Sequence, residues 1–84
     1  MSYRLVYTHR AFKDIQKLEP QVKTRIGKAL LRFEADPLGH AKPLTNAELG
    51  TYRFRVGDYR VIFDIEGEDI VVLRVGHRRH IYRR

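Results

Sequence analysis

The residues best suited to chemistry lie in the C-terminal part of this 84-residue chain. The last 32 residues contain eight arginines and no lysine. Arginine is the residue for bidentate phosphate contacts, whereas lysine is the more generic solubilising cation. His77, His80 and Tyr82 add groups that can transfer protons or stack on a base. The composition of this segment indicates a site for a polyanion.

One reaction fits such a site without a metal: RNA cleavage by attack of the ribose 2′-OH on the adjacent phosphate. The substrate carries its own nucleophile, so the protein has to align it, stabilise the phosphorane charge and move protons. The residues available for this are Arg53, Arg55, Arg60, Arg74, Arg78, His77, His80 and Tyr82. Lys42 is also able to reach phosphate. A solvated outer face, with arginine stems covering apolar surface, is the alternative and stays open at this point.

The sequence lacks the residue patterns that most other classes of enzyme need. The chain has no glycine-rich phosphate loop, no GxSxG motif and no carboxylate cluster for two-metal catalysis. The absence of cysteine excludes disulfides, zinc–thiolate sites and thiol nucleophiles, and it fits a reducing cytoplasm. The four histidines follow no metal-binding pattern. We therefore expect neither a metal nor a cofactor.

A β-hairpin is predicted to position the arginines. Apolar and aromatic residues alternate with arginines over residues 52–56, the period of a half-buried strand, and Gly57-Asp58 is a two-residue hairpin signal. With this loop, Arg55 pairs with Arg60 and both lie on the face opposite the core. The predicted core face carries Tyr52, Phe54, Val56, Tyr59, Val61, Phe63 and Ile65.

A third strand is predicted after this hairpin. A three-residue turn at Glu66-Gly67-Glu68 would add Val71, Leu73 and Val75 to the core face. The same register would place Arg74 opposite Arg60. The basic tail from Gly76 to Arg84 then follows, with four arginines and no acidic residue.

The first half of the chain predicts a strand and two helices. Residues 3–7 are typical of a short strand, and Thr8 is a plausible N-cap. Helical periodicity runs from His9 to Leu18, and again from Pro20 to about residue 35. Asp36-Pro37 ends the second helix, and residues 36–50 are predicted to form a long loop of the kind that often serves function.

These elements predict an α+β fold: an N-terminal strand, a helical hairpin, and a three-stranded antiparallel meander in one small sheet with both helices on one face. Eighty-four residues make a single domain over residues 1–84. The net charge of +7 indicates a polyanionic partner. No apolar run approaches the ~18–20 residues of a membrane span, and the N-terminus does not begin like a signal peptide, so we expect no membrane.

The chain resembles the RelE/ParE toxin superfamily over nearly its whole length. The resemblance lies in the helical hairpin closed by Asp36-Pro37, in the Lys42-Pro43-Leu44 segment, and in two motifs. The first is the G-x-Y-R-x-R-x-G-x-Y-R block from Gly50 to Arg60, and the second is the terminal V-G-H-R…Y segment from Val75 to Tyr82. The resemblance implies the RelE-like microbial RNase fold and a cytosolic toxin neutralised by a cognate antitoxin, as a heterodimer or heterotetramer.

The resemblance to the RelE branch also implies residue roles. That branch cleaves mRNA in the ribosomal A site, so the expected partners include the ribosome and mRNA. Arg60, Arg78, Tyr82 and His77 are the expected catalytic residues, and Arg53, Arg55, Arg74 and Lys42 the expected RNA contacts. The first-strand basic pair is often lysine in active RelE proteins. Arginine stays protonated at physiological pH and is a poor proton acceptor, so the base here would be Tyr82, His77, His80 or a ribosomal group.

Two other functions are compatible with the same resemblance. The ParE branch shares the fold and inhibits DNA gyrase without cleaving nucleic acid, but it usually lacks the terminal V-G-H-R…Y arrangement. An inactive family member would act as an antitoxin-bound transcriptional co-repressor.

Overall fold

Alternating apolar residues build a five-stranded sheet with its helices packed on one face. The computed structural model describes residues 3–45 and 49–82. The elements follow the order β1 (Arg4–Tyr7), α1 (His9–Gln16), α2 (Pro20–Phe33), α3 (Pro37–His40), β2 (Ala41–Pro43), β3 (Tyr52–Val56), β4 (Tyr59–Glu66) and β5 (Asp69–His77). The strand order is β1-β5-β4-β3-β2, with β1 parallel to β5 and the other pairs antiparallel. The α+β prediction is confirmed.

The helices begin where local chemistry places them. The Thr8 side chain accepts a hydrogen bond from the Ala11 amide at 3.1 Å, the predicted N-cap of α1. Pro20 occupies the first turn of α2, where its missing N–H is not needed. Within the described residues, no helix is long and apolar enough to cross a membrane.

The core lies between the two long helices and one face of the sheet. The helices contribute Ala11, Ile26, Ala29, Leu30 and Phe33 to it. The predicted core face of the β3–β4 hairpin is confirmed, because Phe54, Val56, Val61 and Phe63 are buried, and Tyr52, Tyr59 and Ile65 pack against them. The opposite face of β3 and β4 is therefore left uncovered by helices.

The predicted register of β5 is wrong along the whole strand, by one residue in its first half and by two residues in its second half. Glu66 pairs with Asp69, so the turn has two loop residues, Gly67 and Glu68, rather than three. An irregularity between Ile62 and Phe63 then shifts the pairing of β4 with β5 by one more residue, so that Leu73 has no partner on β4. The β5 core residues are consequently Ile70, Val72 and Val75, and Gly76 rather than Arg74 lies opposite Arg60.

The predicted loop 36–50 contains two short elements. The Asp36 side chain accepts a hydrogen bond from the Gly39 amide at 3.2 Å and caps the one-turn helix α3. The next residues, Ala41–Pro43, form β2 against β3. Residues 46–48 of this loop, and Arg83 and Arg84 of the predicted tail, lie outside the described residues.

Asp14 accepts hydrogen bonds from the part of β5 that extends beyond β1. β1 pairs with β5 only as far as Val72, so the next residues of β5 have an unpaired edge. There the Asp14 carboxylate accepts hydrogen bonds from the Val75 amide at 3.0 Å and from Arg74 Nε at 2.7 Å. This contact fixes the strand that leads into the basic tail.

We expect Asp14→Ala to lower the free energy of unfolding by about 2 kcal/mol, because it removes two charge-assisted hydrogen bonds and leaves the half-buried Arg74 unpaired. Arg4→Ala is the matched control: it breaks the exposed pair between Arg4 and Asp69, which is expected to contribute less than about 0.5 kcal/mol. Urea denaturation measures both. Equal losses in the two variants would contradict the role given to Asp14.

Candidate functional site

The β3–β4 hairpin gathers the basic residues on the face that the helices leave bare. Arg55 lies directly opposite Arg60, and Arg53, two residues before Arg55, shares the same face. On the neighbouring edge strand, Lys42 lies opposite Arg53. The predicted placement of the three arginines on one face is confirmed, and β2 adds Lys42, which was predicted only as a loop residue, to the same face.

A groove of about 610 Å³ lies over this face. Its basic lining comes from both strands of the hairpin and from the tail, and its other wall comes from residues 43–45 and from Leu49. The lining residues are Pro43, Leu44, Thr45, Leu49, Arg53, Arg60, Arg78, Arg79 and Tyr82. Three separate parts of the chain therefore converge on one concave basic surface.

Arg60 lies at the centre of this charge cluster. Its side chain is covered (the residue is 7% exposed), and its Nη1 donates hydrogen bonds to the carbonyls of Gly57 and Tyr59, both at 2.9 Å. Burial lowers the pKa of Arg60; the nearby Tyr82 opposes this effect, while the charges of Arg55, Arg53 and Arg78 lower the pKa further. The guanidinium is thus held rigidly among like charges, a setting that an anion would stabilise.

The tail is folded back so that Tyr82 reaches the groove. The Arg78 amide donates to the Asp58 carbonyl at 2.8 Å, and the amides of His80 and Ile81 both donate to the His77 carbonyl at 2.9 Å. The Ile81 side chain is buried against Gly76, where an added Cβ would lie only 3.1 Å from Ile81 Cδ1. Ile81 anchors the turn that presents the exposed ring of Tyr82.

Arg78 is held only loosely by its carboxylate neighbour. Its Nε lies 3.6 Å from Asp58 Oδ1, and both side chains are more than half exposed. Exposed pairs of this kind contribute little, so the guanidinium is free to exchange Asp58 for a phosphate oxygen. Arg79, which the sequence analysis counted only as part of the tail, lines the groove as well.

Four predicted site residues do not line the groove. Arg55 and Lys42 lie beside it on the same basic face and line a small neighbouring pocket, whereas the other two lie elsewhere. Arg74 is opposite Ile62, not Arg60, and forms its ion pair with Asp14 at 2.7 Å. His77 is opposite Tyr59, whose side chain packs on the helix-side core, and the two rings meet edge to face at 5.4 Å. His77 Nδ1 also accepts a hydrogen bond from the Arg79 amide. Neither side chain lines the groove.

The sequence analysis also missed the far wall of the groove. Pro43, Leu44, Thr45 and Leu49 carry no chemistry of their own, and the signal for them was only the length of the loop that contains them. The backbone hydrogen bond from Leu44 N–H to the Thr51 carbonyl, at 3.0 Å, holds this wall against the start of β3.

The arrangement is suited to holding a phosphodiester. Guanidinium groups from β3, β4 and the tail face one concavity, and a tyrosine hydroxyl stands beside them. Among the described residues, no three His, Asp or Glu side chains gather in a way that could hold a metal ion. The charge that an anion meets in this groove is supplied by arginine.

Comparisons with known proteins identify the family of this chain. A family model, the ParE toxin of the type II toxin–antitoxin system parDE, matches residues 5–82. The chain is 37% identical to toxin RelG from Mycobacterium tuberculosis over 87 residues, covering 100% of both chains.

Solved structures give the same assignment. In the toxin–antitoxin complex RelBE2 from Mycobacterium tuberculosis, the matching chain has 31% identity and a TM-score of 0.83, with 93% of this chain and 100% of that chain covered. The archaeal RelE–RelB complex from Pyrococcus horikoshii OT3 matches with 25% identity and a TM-score of 0.75, covering 95% and 99% of the two chains. The chain belongs to the RelE/ParE family of type II toxin–antitoxin toxins.

Proposed function

We propose that this toxin is a ribosome-dependent, metal-independent mRNA endoribonuclease that inhibits translation. The observation that carries the proposal is the convergence of Arg53, Arg60, Arg78 and Tyr82 on one groove, with Arg60 fixed at its centre. A set of arginines preorganised around one point is what stabilisation of a phosphorane requires, because the donors need no reorganisation when charge develops.

The bond changes follow from the substrate. The ribose 2′-oxygen attacks the adjacent phosphorus and loses its proton, the bond from phosphorus to the 5′-oxygen breaks, and that oxygen gains a proton. The products are a 2′,3′-cyclic phosphate and a free 5′-hydroxyl. We assign stabilisation of the phosphorane oxygens to Arg60 and Arg78, and contacts to flanking phosphates to Arg53, Arg55 and Lys42.

Proton transfer falls to Tyr82 or to a group on the ribosome. Arginine remains protonated at neutral pH and cannot serve as the base. His77 and His80, the other two candidates, do not line the groove, and His77 packs against Tyr59, so the geometry gives no support to a catalytic role for either histidine. A groove with charge stabilisation but few proton-transfer groups is consistent with an enzyme that acts only when the ribosome aligns the substrate.

The proposal includes a cognate antitoxin as partner. The similar structures from Mycobacterium tuberculosis and Pyrococcus horikoshii OT3 are complexes of RelE with RelB. By analogy, this toxin assembles with its own antitoxin as a heterodimer or heterotetramer in the cytoplasm.

Gyrase inhibition is the second candidate, because the matching family model is that of a ParE toxin. Two measurements distinguish the candidates after induction in cells. A ribosome-dependent nuclease gives transcript 5′ ends in phase with codons, whereas a gyrase inhibitor changes plasmid supercoiling and leaves transcripts uncut.

We expect Arg60→Ala and Arg78→Ala each to lower the rate of ribosome-dependent mRNA cleavage by about 10²–10³-fold, because each removes a donor to the phosphorane. Arg10→Ala, which removes an equal charge from the exposed surface of α1, is the control and should cleave like the unmodified protein. Cleavage of a defined mRNA on programmed ribosomes measures the rates, and circular dichroism reports the fold. Folded Arg60 and Arg78 variants with unchanged rates would refute the assignment.

We expect Tyr82→Phe to lower the cleavage rate by about 10²-fold while leaving ribosome binding unchanged, since the variant keeps the ring and loses only the hydroxyl that transfers a proton. Tyr82→Ala should lower both cleavage and binding if the ring also stacks on a base. Single-turnover rates at saturating toxin measure the contribution of the hydroxyl to the cleavage step, separately from binding. Full activity of Tyr82→Phe would leave stacking as the only role of this residue.

A further inference from the structure

A second basic surface adjoins the groove on the helix side of the hairpin. Arg25, Lys28 and Arg32 lie along one stripe of α2 and, together with Arg55, surround a depression of about 310 Å³. We call these four residues the α2 basic cluster. All four are exposed.

The α2 basic cluster reaches the hairpin turn. Gly57 has a φ of 60°, the left-handed conformation that favours glycine and forms the tight turn. The guanidinium of Arg25 lies directly against this glycine, so α2 brings a cation over the end of the hairpin.

The cluster is continuous with the groove. A small pocket of about 60 Å³ lies between them and is lined by His40, Lys42, Arg53 and Arg55. Arg53 also lines the groove, and Arg55 also lines the depression on α2. Three adjoining concavities thus share their arginines and form one basic track from Tyr82 to α2.

The charges of the α2 basic cluster and of Arg53 are not compensated within the described residues. There, no carboxylate lies within 4.0 Å of the cationic groups of the α2 basic cluster or of Arg53, whereas Arg4, Arg74 and Arg78 each have such a neighbour. Helix α2 contains no acidic residue. An ordinary solvated helix face mixes both signs of charge, so a one-sign stripe beside an anion groove is better explained by a ligand.

We propose that the α2 basic cluster is a second binding site for the ribose-phosphate backbone of RNA, extending the groove in which cleavage occurs. The proposal rests on the proposed function for the role of the groove, but RNA binding by the cluster is measurable without cleavage. The bound backbone comes either from the same mRNA strand continuing out of the groove or from ribosomal RNA beside it.

The test compares two triple variants of equal charge. Arg25→Gln/Lys28→Gln/Arg32→Gln neutralises the α2 basic cluster while Arg55 is retained, and Arg10→Gln/Lys13→Gln/Lys17→Gln removes three exposed charges from α1 and its C-cap. Glutamine keeps the helix propensity of both sites. The probes are 2′-O-methyl RNA oligonucleotides of 4 and 12 nucleotides, followed by fluorescence anisotropy over a salt series, and purified ribosomes in a pelleting assay.

If one strand follows the track, the α2 triple variant binds the 12-mer about tenfold more weakly, and the slope of log K against log salt falls by about 2, while 4-mer binding is unchanged. If ribosomal RNA is the ligand, oligonucleotide binding is unchanged and ribosome binding falls about tenfold. Either selective loss supports the proposal.

Equal behaviour of the two triple variants in both assays would overturn it, since net charge alone would then account for binding. If the α2 triple variant loses stability, a pair of double variants of equal charge gives the same comparison: Arg25→Gln/Arg32→Gln on α2, and Arg10→Gln/Lys17→Gln on α1 and its C-cap. A toxin that binds RNA through α2 but leaves mRNA intact on ribosomes would contradict the nuclease proposal alone.

Discussion

The site depends on how the Arg60 guanidinium is fixed to the hairpin turn. Two backbone carbonyls, those of Gly57 and Tyr59, accept hydrogen bonds from one nitrogen of this side chain. These hydrogen bonds keep the charged group in place, although burial and the charges of three neighbouring arginines destabilise its protonated form. Without these two hydrogen bonds, the Arg60 side chain would rotate away from the neighbouring positive charges and into the solvent. The turn residues therefore determine where an anion is bound.

The rest of the fold supplies the parts that surround this point. The apolar face of β3 and β4 packs on α1 and α2, which leaves the opposite face free for charged side chains. Ile81 and the Arg78 amide return the tail to the hairpin, so that Tyr82 stands across from Arg60. Like-charge repulsion on this face opposes folding, and the buried core has to offset it. Such a strained charge distribution is common where a site is preorganised for a ligand.

The sequence predicted the hairpin and its basic face well, because alternation and a Gly-Asp loop determine register over a short distance. It predicted β5 poorly. The two-residue turn and the extra residue Leu73 each shift the ladder by one position, and together they restore the inward orientation of Val75 while moving Arg74 away from Arg60. No local pattern marks that bulge. The displacement of His77 from the groove follows from the same register, and the wall formed by Leu44 and Leu49 depends on tertiary packing alone.

The most direct test of this account is a structure of the toxin on a ribosome that carries an mRNA whose 2′-hydroxyl at the cleavage position is replaced by hydrogen. Because the guanidinium of Arg60 is fixed before the ligand arrives, a phosphate oxygen should lie about 3 Å from it, with Arg78 turned away from Asp58 onto the same phosphate. The Tyr82 hydroxyl should point at the modified ribose. A phosphate bound outside the groove, with Arg60 still hydrogen-bonded only to the turn, would contradict the account.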